Sequence, residues 1–186
     1  MKQPIYPDET VVTVDYPEDD GKPMAEGDSQ CDYLTYARQV LRAFFAKRDD
    51  VYVAGNLFIY YEQGNPEAVV APDTFVIFGV SPENRRSYKV WEEGGHCPSF
   101  VLEITSKSTV SQDMGAKKGI YAYLGVQEYF LFDPTSDYLS PPLQGWVLDQ
   151  ANYFPIVADP LAKGYSLRSQ VLGLELHWDE TEFRFL

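Results

Sequence analysis

The stretch from Phe100 to Phe132 constrains the fold more than any other part of this chain. It holds an apolar run, Phe100-Val101-Leu102-Glu103-Ile104, then helical spacing from Gln112 to Leu124, a glycine at 125 and a second apolar run from Val126 to Phe132. Gly125 is the residue type best suited to the left-handed end of a helix. Strand, helix and strand in so short a span form a crossover unit. Its two strands are expected to be parallel and adjacent in a sheet that the helix covers.

Around this unit the 186 residues divide into an extended N-terminal arm, residues 1–29, and a single domain over 30–186. The arm is acidic and Pro-interrupted, with a short edge strand at most, Thr10-Val11-Val12-Thr13-Val14. From Gln30 to about Lys47, Tyr33, Leu34, Ala37, Val40, Leu41, Phe44 and Phe45 recur at three and four, the pattern of one helix face. Asp28 or Ser29 would cap it. Val51-Tyr52-Val53, Leu57 to Tyr61 and Phe75 to Val80 have the β-branched and aromatic content of strands, and Ser81 to Gly95 reads as a long polar loop. Beyond Pro141-Pro142, short runs near Gly145–Leu148, Ala151–Ile156, Tyr165–Leu167 and Val171–Trp178 predict antiparallel hairpins, with Phe183 to Leu186 as a final edge strand. An apolar content of 45%, aromatics included, is enough for one domain with a sizeable core.

Charge and cysteine usage bear on the function class. The net charge of -13 argues against broad electrostatic attraction to nucleic acid, because affinity for phosphates comes from clustered Lys and Arg. The acidity is uneven, however. Asp8, Glu9, Asp15, Glu18, Asp19, Asp20, Glu26 and Asp28 crowd the arm, whereas a local basic run lies between Arg85 and Lys89. Cys31 and Cys97 are far apart, and the only histidine beside them, His96, lacks zinc-ligand spacing, which argues against a structural zinc. The N-terminus lacks the basic-then-apolar order of a signal peptide, and no apolar run approaches the roughly 20 residues of a membrane helix. The expectation is a cytoplasmic protein with no membrane partner.

Two acids end apolar, strand-like runs: Asp73 in Val70-Ala71-Pro72-Asp73, and Glu103. Strand alternation puts Glu103 on the face of Val101 and Thr105, opposite Phe100, Leu102 and Ile104. A carboxylate inside a core strand is costly unless paired or metal-bound. If the strand that Asp73 opens neighbours the Glu103 strand, the two carboxylates converge. With the Ile104 carbonyl and waters they would make an oxygen-rich site for Mg²⁺ or Mn²⁺. Lys117 shares a helix face with Ile120, Tyr121 and Leu124, turned toward the sheet, while Lys118 turns to solvent. A lysine drawn in beside two carboxylates is their counterion, or the cation that orients an attacking water and neutralises the transition state.

The plain structural alternatives are a Pro-Asp turn at Asp73 and a buried Glu–Lys pair at Glu103. Elsewhere, Asp133-Pro134 reads as a turn, Glu128 as a surface or ion-pairing residue, His177 as exposed, and Asp113 as an acid favoured by its helix dipole. The loop Ser106 to Thr109 contacts phosphate through its hydroxyls and Lys107, or is ordinary turn chemistry.

Taken together, Asp20 to Glu26, Val51 to Leu57, Val70 to Asp73, Phe100 to Ser106, Asp113 to Lys117 and Tyr121 to Pro134 resemble the Uma2 family, restriction-endonuclease-like members of the PD-(D/E)XK nuclease superfamily that abound in cyanobacteria. The resemblance runs from about residue 18 to 178. It implies an α/β restriction-endonuclease-like fold, a mixed central sheet with flanking helices, to which the antiparallel hairpins are added. It also implies that Asp73 and Glu103 are the superfamily's motif acids. The lysine expected two residues after Glu103 is replaced by Thr105. In the family resembled it has moved to the following helix, where Lys117 matches. Glu26 is the candidate for an acid typical of the superfamily near the first helix, with a solvated acidic turn as the alternative. Where a histidine is expected shortly before that helix, this chain has Gln30. A homodimer is in keeping with nucleases of this fold.

The expected function is therefore a Mg²⁺- or Mn²⁺-dependent endonuclease that hydrolyses phosphodiesters of nucleic acid, DNA in the first place. Its catalytic residues would be Asp73, Glu103, Lys117 and Glu26, and its metal ligands Asp73, Glu103 and the Ile104 carbonyl. The alternative is a non-catalytic binding or regulatory protein on the same scaffold, with Asp73, Glu103 and Lys117 as a structural ion-pair network.

Overall fold

The computed structural model describes residues 14–18 and 28–186. Of the expected edge strand over residues 10–14, only Val14 is among the described residues and it is in no strand, and the candidate acid Glu26 lies outside them. Of the arm, Tyr16 is placed: its ring packs edge-on against Tyr60, centroids 5.1 Å apart.

Helix α1 (Asp28–Phe44) buries Leu34, Ala37 and Leu41 on the face that its spacing predicts. It stops short of Lys47 in a turn where the Arg48 N–H donates to the Phe45 carbonyl. Then come β1 (Val51–Ala54), β2 (Ile59–Tyr60), β3 (Val69–Val70), β4 (Thr74–Phe78), β5 (Tyr88–Lys89), a 3₁₀ turn (Val90–Glu93) and β6 (Phe100–Ile104). The crossover helix consists of α2 (Val110–Gln112), a π turn (Asp113–Lys117) and α3 (Lys118–Tyr123). It leads to β7 (Glu128–Phe132), β8 (Leu143–Asp149), β9 (Asn152–Pro155), β10 (Asp159–Pro160), β11 (Tyr165–Ser169), β12 (Leu174–Trp178) and β13 (Phe183–Phe185).

Among the described residues these strands form a six-stranded sheet, β1-β4-β6-β7-β8-β9, a four-stranded sheet, β10-β11-β12-β13, and a small one, β3-β2-β5. In the large sheet only β6 and β7 run parallel, in register from Phe100↔Glu128 to Ile104↔Phe132. The crossover unit and the C-terminal hairpins are thus where the sequence puts them. The alternation on β6 is also as expected. Phe100, Leu102 and Ile104 join α1 and the C-terminal sheet in one core, while Val101 joins Tyr121, Ile59 and Tyr88 in another.

A sheet covered on both faces changes some residues. Every residue of β7 is buried, and Glu128, read from the sequence as a surface or ion-pairing residue, is buried with it. Its carboxylate accepts the Ser169 hydroxyl and the N–H groups of Gln170 (2.7 Å) and Val171 (3.2 Å). His177, expected to be exposed, is half-buried beside Glu175. The stretch Ser81 to Gly95 is more than a loop, because the fully buried Tyr88 anchors β5 parallel to β2. Its Arg85 lies 4.4 Å from the centre of the Tyr52 ring and grips the Glu93 carboxylate at 2.6 and 2.9 Å.

The large sheet has β1 and β9 at its edges. On the β1 edge the Arg42 Nε–H donates to the Val53 carbonyl (2.9 Å). On the β9 edge stands Pro155, which has no N–H to offer. Among the described residues no helix is long and apolar enough to cross a membrane.

Candidate active site

The antiparallel pairing of β4 and β6 sets Thr74 opposite Leu102, which brings Asp73, one residue before β4, opposite Glu103. Two hydrogen bonds lock the acids together. The Asp73 N–H donates to Glu103 Oε2 (3.1 Å), and the Ile104 N–H donates to Asp73 Oδ2 (2.7 Å). The backbone before Asp73 is fixed from β1's side: the Asn56 N–H donates to the Pro72 carbonyl (2.9 Å). Gly55 lies so close that a Cβ on it would stand 1.9 Å from the Asp73 carbonyl oxygen. Only glycine permits this approach.

The crossover helix supplies the cation. A π turn carries an extra residue and so displaces the side chains that follow, and such turns often accompany functional sites. Here it spans Asp113–Lys117. Lys117 Nζ lies 3.0 Å from Asp113 Oδ1 and 3.2 Å from Glu103 Oε2. Tyr121, one turn on, donates its hydroxyl to Glu103 Oε1. From β7, Tyr129 donates to the Asp113 carbonyl (2.8 Å), and Thr105 Oγ1 stands 3.4 Å from Asp113 Oδ2. Lys118 differs from its expected place in solvent: it is half-buried, with Nζ 3.7 Å from the centre of the Trp146 ring.

Three of these residues escaped the sequence reading. From the sequence alone Asp113 has a helix-dipole role, Tyr121 a place on the sheet-facing helix stripe, and Thr105 a place on the Glu103 face where a lysine is missing. A signal was present in the spacing of 113, 117 and 121, an acid, a lysine and a phenol four residues apart on one helical stripe.

Glu103 is fully buried, Asp113 almost so, and Asp73 half-buried at the rim. Three carboxylates thus face one ammonium. Burial pushes the Asp73 carboxyl well above its ordinary range and the Glu103 charge adds to this, with Lys117 opposing. Burial also raises Glu103, against the pull of Lys117. At Lys117 burial acts to strip the proton, but Glu103, Asp113 and Asp73 outweigh it and hold the ammonium above the usual lysine range. Burial and the Glu103 charge push the Tyr121 and Tyr129 phenols up, so both remain donors.

Ile104 lies beyond the paired part of β4. In an extended strand the N–H and C=O of one residue point to the same side, so its carbonyl also faces the Asp73 side. Gln30 Nε2, from the first turn of α1, stands 3.4 Å from that carbonyl. Alongside opens a cleft of about 560 Å³, lined by Ser29, Gln30, Thr105, Ser106, Lys107, Ser108, Pro134, Thr135 and Tyr138. The Ser106 to Thr109 loop makes turn bonds, Ser106 N–H to Thr109 Oγ1 (3.0 Å), and also forms one wall of the cleft. Asp133 makes the turn expected of it, accepting the N–H groups of Thr135, Tyr138 and Leu139.

A family model described as "Uma2: Putative restriction endonuclease" matches residues 6–141, a span that contains Asp73, Glu103, Asp113, Lys117 and Tyr121. The chain belongs to the Uma2 family. A solved structure described as "a putative nuclease belonging to DUF820", from Anabaena variabilis, is similar to this Uma2 chain, with a TM-score of 0.51 over 75% of each chain at 14% identity. At that identity the likeness speaks for the fold, which is the restriction-endonuclease-like α/β fold. No curated protein matches this Uma2 chain. Of the residues that the sequence singles out in it, Asp73, Glu103, Ile104 and Lys117 come together, Gln30 abuts them, and Glu26 lies outside the described residues.

Proposed function

We propose that this Uma2 protein is a metal-dependent endonuclease hydrolysing phosphodiester bonds of nucleic acid, with DNA as the first substrate to test. One observation carries the reading: Lys117 Nζ, from the crossover helix, lies 3.2 Å from the same Glu103 oxygen that accepts the Asp73 N–H. Two adjacent strand-end acids, with a cation held on one of them, make a site for handling a phosphate and a water.

Among the described residues no three His, Cys, Asp or Glu side chains gather into a ready-made cage. The candidate donors are Asp73, the Ile104 carbonyl and Glu103, whose oxygens a metal would share with Tyr121, Lys117 and the Asp73 N–H. That set fits a hard cation held by one or two carboxylates and completed by waters and substrate phosphate. The three carboxylates, outnumbering the one ammonium, supply the charge that a dication neutralises. Asp73, Glu103 and Ile104 would hold Mg²⁺ or Mn²⁺, which when bound polarises the scissile phosphate and its water.

The side chains divide the remaining work. Lys117, kept charged by its carboxylates, acts as a fixed cation that orients water and offsets charge on the phosphoryl oxygens; it is not a base. Tyr121 and the Asp73 N–H hold Glu103 in one orientation. The water oxygen bonds to phosphorus as its O–H bond breaks and that proton passes to solvent, the ester P–O bond breaks, and the leaving oxygen takes up a proton from solvent to become the alcohol.

A second reading is favoured by one observation. Both Glu103 oxygens already have protein partners, Tyr121 on one and Lys117 with the Asp73 N–H on the other. A closed network of this kind suits a non-catalytic scaffold protein. Incubation of supercoiled plasmid and of single-stranded DNA with Mg²⁺, Mn²⁺ or EDTA separates the two, with Asp73→Asn and Lys117→Ala as controls. Metal-dependent cutting lost in both variants is expected. No cutting, together with no Mn²⁺-induced rise in Tm relative to Glu103→Ala, decides for the scaffold.

A further inference from the structure

We propose that the cleft beside the site seats one unpaired nucleotide next to the scissile phosphate, so that the preferred substrate is single-stranded nucleic acid rather than continuous duplex. This rests on the nuclease reading above and adds the substrate class to it.

Position comes first. Two cleft residues also touch the site: Gln30 faces the Ile104 carbonyl at 3.4 Å, and Thr105 faces Asp113 at 3.4 Å. A strand leaving the site on this side enters the cleft at once. Its volume of about 560 Å³ lies in the range that encloses a small organic molecule, which suits one nucleotide and is too small to enclose a duplex.

The lining matches the parts of a nucleotide. The exposed Lys107 offers an ammonium to a backbone phosphate, and the Ser106 and Ser108 hydroxyls, 3.0 Å apart, offer donors beside it. Tyr138, 40% exposed as a residue, offers a ring on which any base can stack. The backbone under that ring is held firmly. The buried Asp133 accepts the Tyr138 N–H at 2.6 Å, the Leu139 N–H at 3.0 Å and the Thr135 hydroxyl at 2.8 Å.

The overall charge points the same way. Binding to a duplex draws on the neutralisation of many phosphates by clustered cations. This chain has a net charge of -13, and among the described residues Lys107 is the one cationic side chain lining the cleft. Base stacking with a single phosphate contact needs no wide basic face, and an acidic chain can supply it.

The test measures fluorescence anisotropy of a labelled single-stranded oligonucleotide and of its duplex with full-length protein in EDTA, where binding is read without cleavage. The single strand is expected to bind at least tenfold more tightly. Lys107→Ala and Tyr138→Ala should each weaken it about tenfold, Tyr138→Phe should retain it, and Lys107→Ala should flatten the salt dependence. Equal binding of duplex, absence of binding to either form, or variants that bind as wild type does would overturn the proposal. Thermal melts of the two alanine variants guard against misfolding. Metal-dependent cutting that Asp73→Asn abolishes, with strand binding indifferent to Lys107 and Tyr138, removes the cleft and leaves the nuclease. Strand binding through the cleft with no cutting of any nucleic acid removes the nuclease and leaves the cleft.

Discussion

Asp113 and Lys117 meet at 3.0 Å across the π turn, and Lys117 reaches Glu103 at 3.2 Å on its other side. The cation is therefore held between a helix and a strand. The arrangement is also lopsided: removal of one acid leaves Lys117 with partners, whereas removal of Lys117 leaves three acids without a cation.

Lys117→Met accordingly destabilises the metal-free protein by about 3–5 kcal/mol, the usual effect of stripping one partner from a buried charge cluster. Mn²⁺ should raise the Tm of this variant more than that of the wild type, because a dication replaces the missing positive charge. Urea denaturation in EDTA reads the first effect, and a variant as stable as wild type would refute it.

Asp73→Asn should stabilise the metal-free protein at neutral pH. Burial and Glu103 raise the folded-state Asp73 carboxyl above its ordinary value of 3.8, and Glu103 is raised in the same sense. An acid raised on folding favours the folded state below its unfolded value and loses that contribution as pH climbs through the folded value. Wild type without metal thus loses stability from about pH 4 toward neutrality on account of these groups. The amide removes one of them and keeps an acceptor for the Ile104 N–H. A gain of about 1–2 kcal/mol at neutral pH, fading toward acid, is expected in thermal melts in EDTA. Identical neutral melts for the two proteins would contradict it.

Tyr121→Phe removes the hydroxyl that serves Glu103 Oε1 in a fully buried place. An unsatisfied buried acceptor costs about 1–3 kcal/mol, which lowers Tm by several degrees in a chain of this size. Nuclease activity should fall as well, with kcat affected more than KM, since Glu103 loses one of its fixed orientations. Calorimetry and steady-state kinetics check the two halves separately.

Gly55→Ala and Gly119→Ala should act in opposite directions. A Cβ at 55 would collide with the Asp73 carbonyl, whereas one at 119 meets nothing within 4 Å. The first substitution should cost about 1–3 kcal/mol through overpacking and displace Asp73 from the site. The second lies in α3 and should contribute up to about 1 kcal/mol through helix propensity. Paired denaturation curves with the same signs for both would defeat this account.

What the sequence made legible was whatever depended on local period and local stops. The three-and-four spacing before Phe45, the crossover ending at Gly125 and the alternation around Glu103 all rest on neighbours in the chain. Lys117 over Lys118 followed from the facing of one helix. Less legible were features created by a second layer. Glu128 became buried because the C-terminal sheet covers its strand, and Tyr88 made a strand where its polar neighbours suggested a loop. Asp113 shares the four-residue spacing of Lys117 and Tyr121, but its fixing at the site by Thr105 and Tyr129 comes from outside its own helix, from the end of β6 and from β7. The cleft unites Ser29, Lys107 and Tyr138, remote in sequence, and no window of the chain contains all three.

With Arg42 on the Val53 carbonyl at one edge and Pro155 at the other, the six-stranded sheet presents no unbroken ladder of donors and acceptors to a neighbouring chain. Exposed sheet edges are the usual template for strand swapping and fibril growth. Here one guanidinium and one pyrrolidine ring interrupt that template, and a net charge of -13 adds repulsion between copies. A second copy approaching either edge of the large sheet therefore meets one of these interruptions before it can extend the strand ladder.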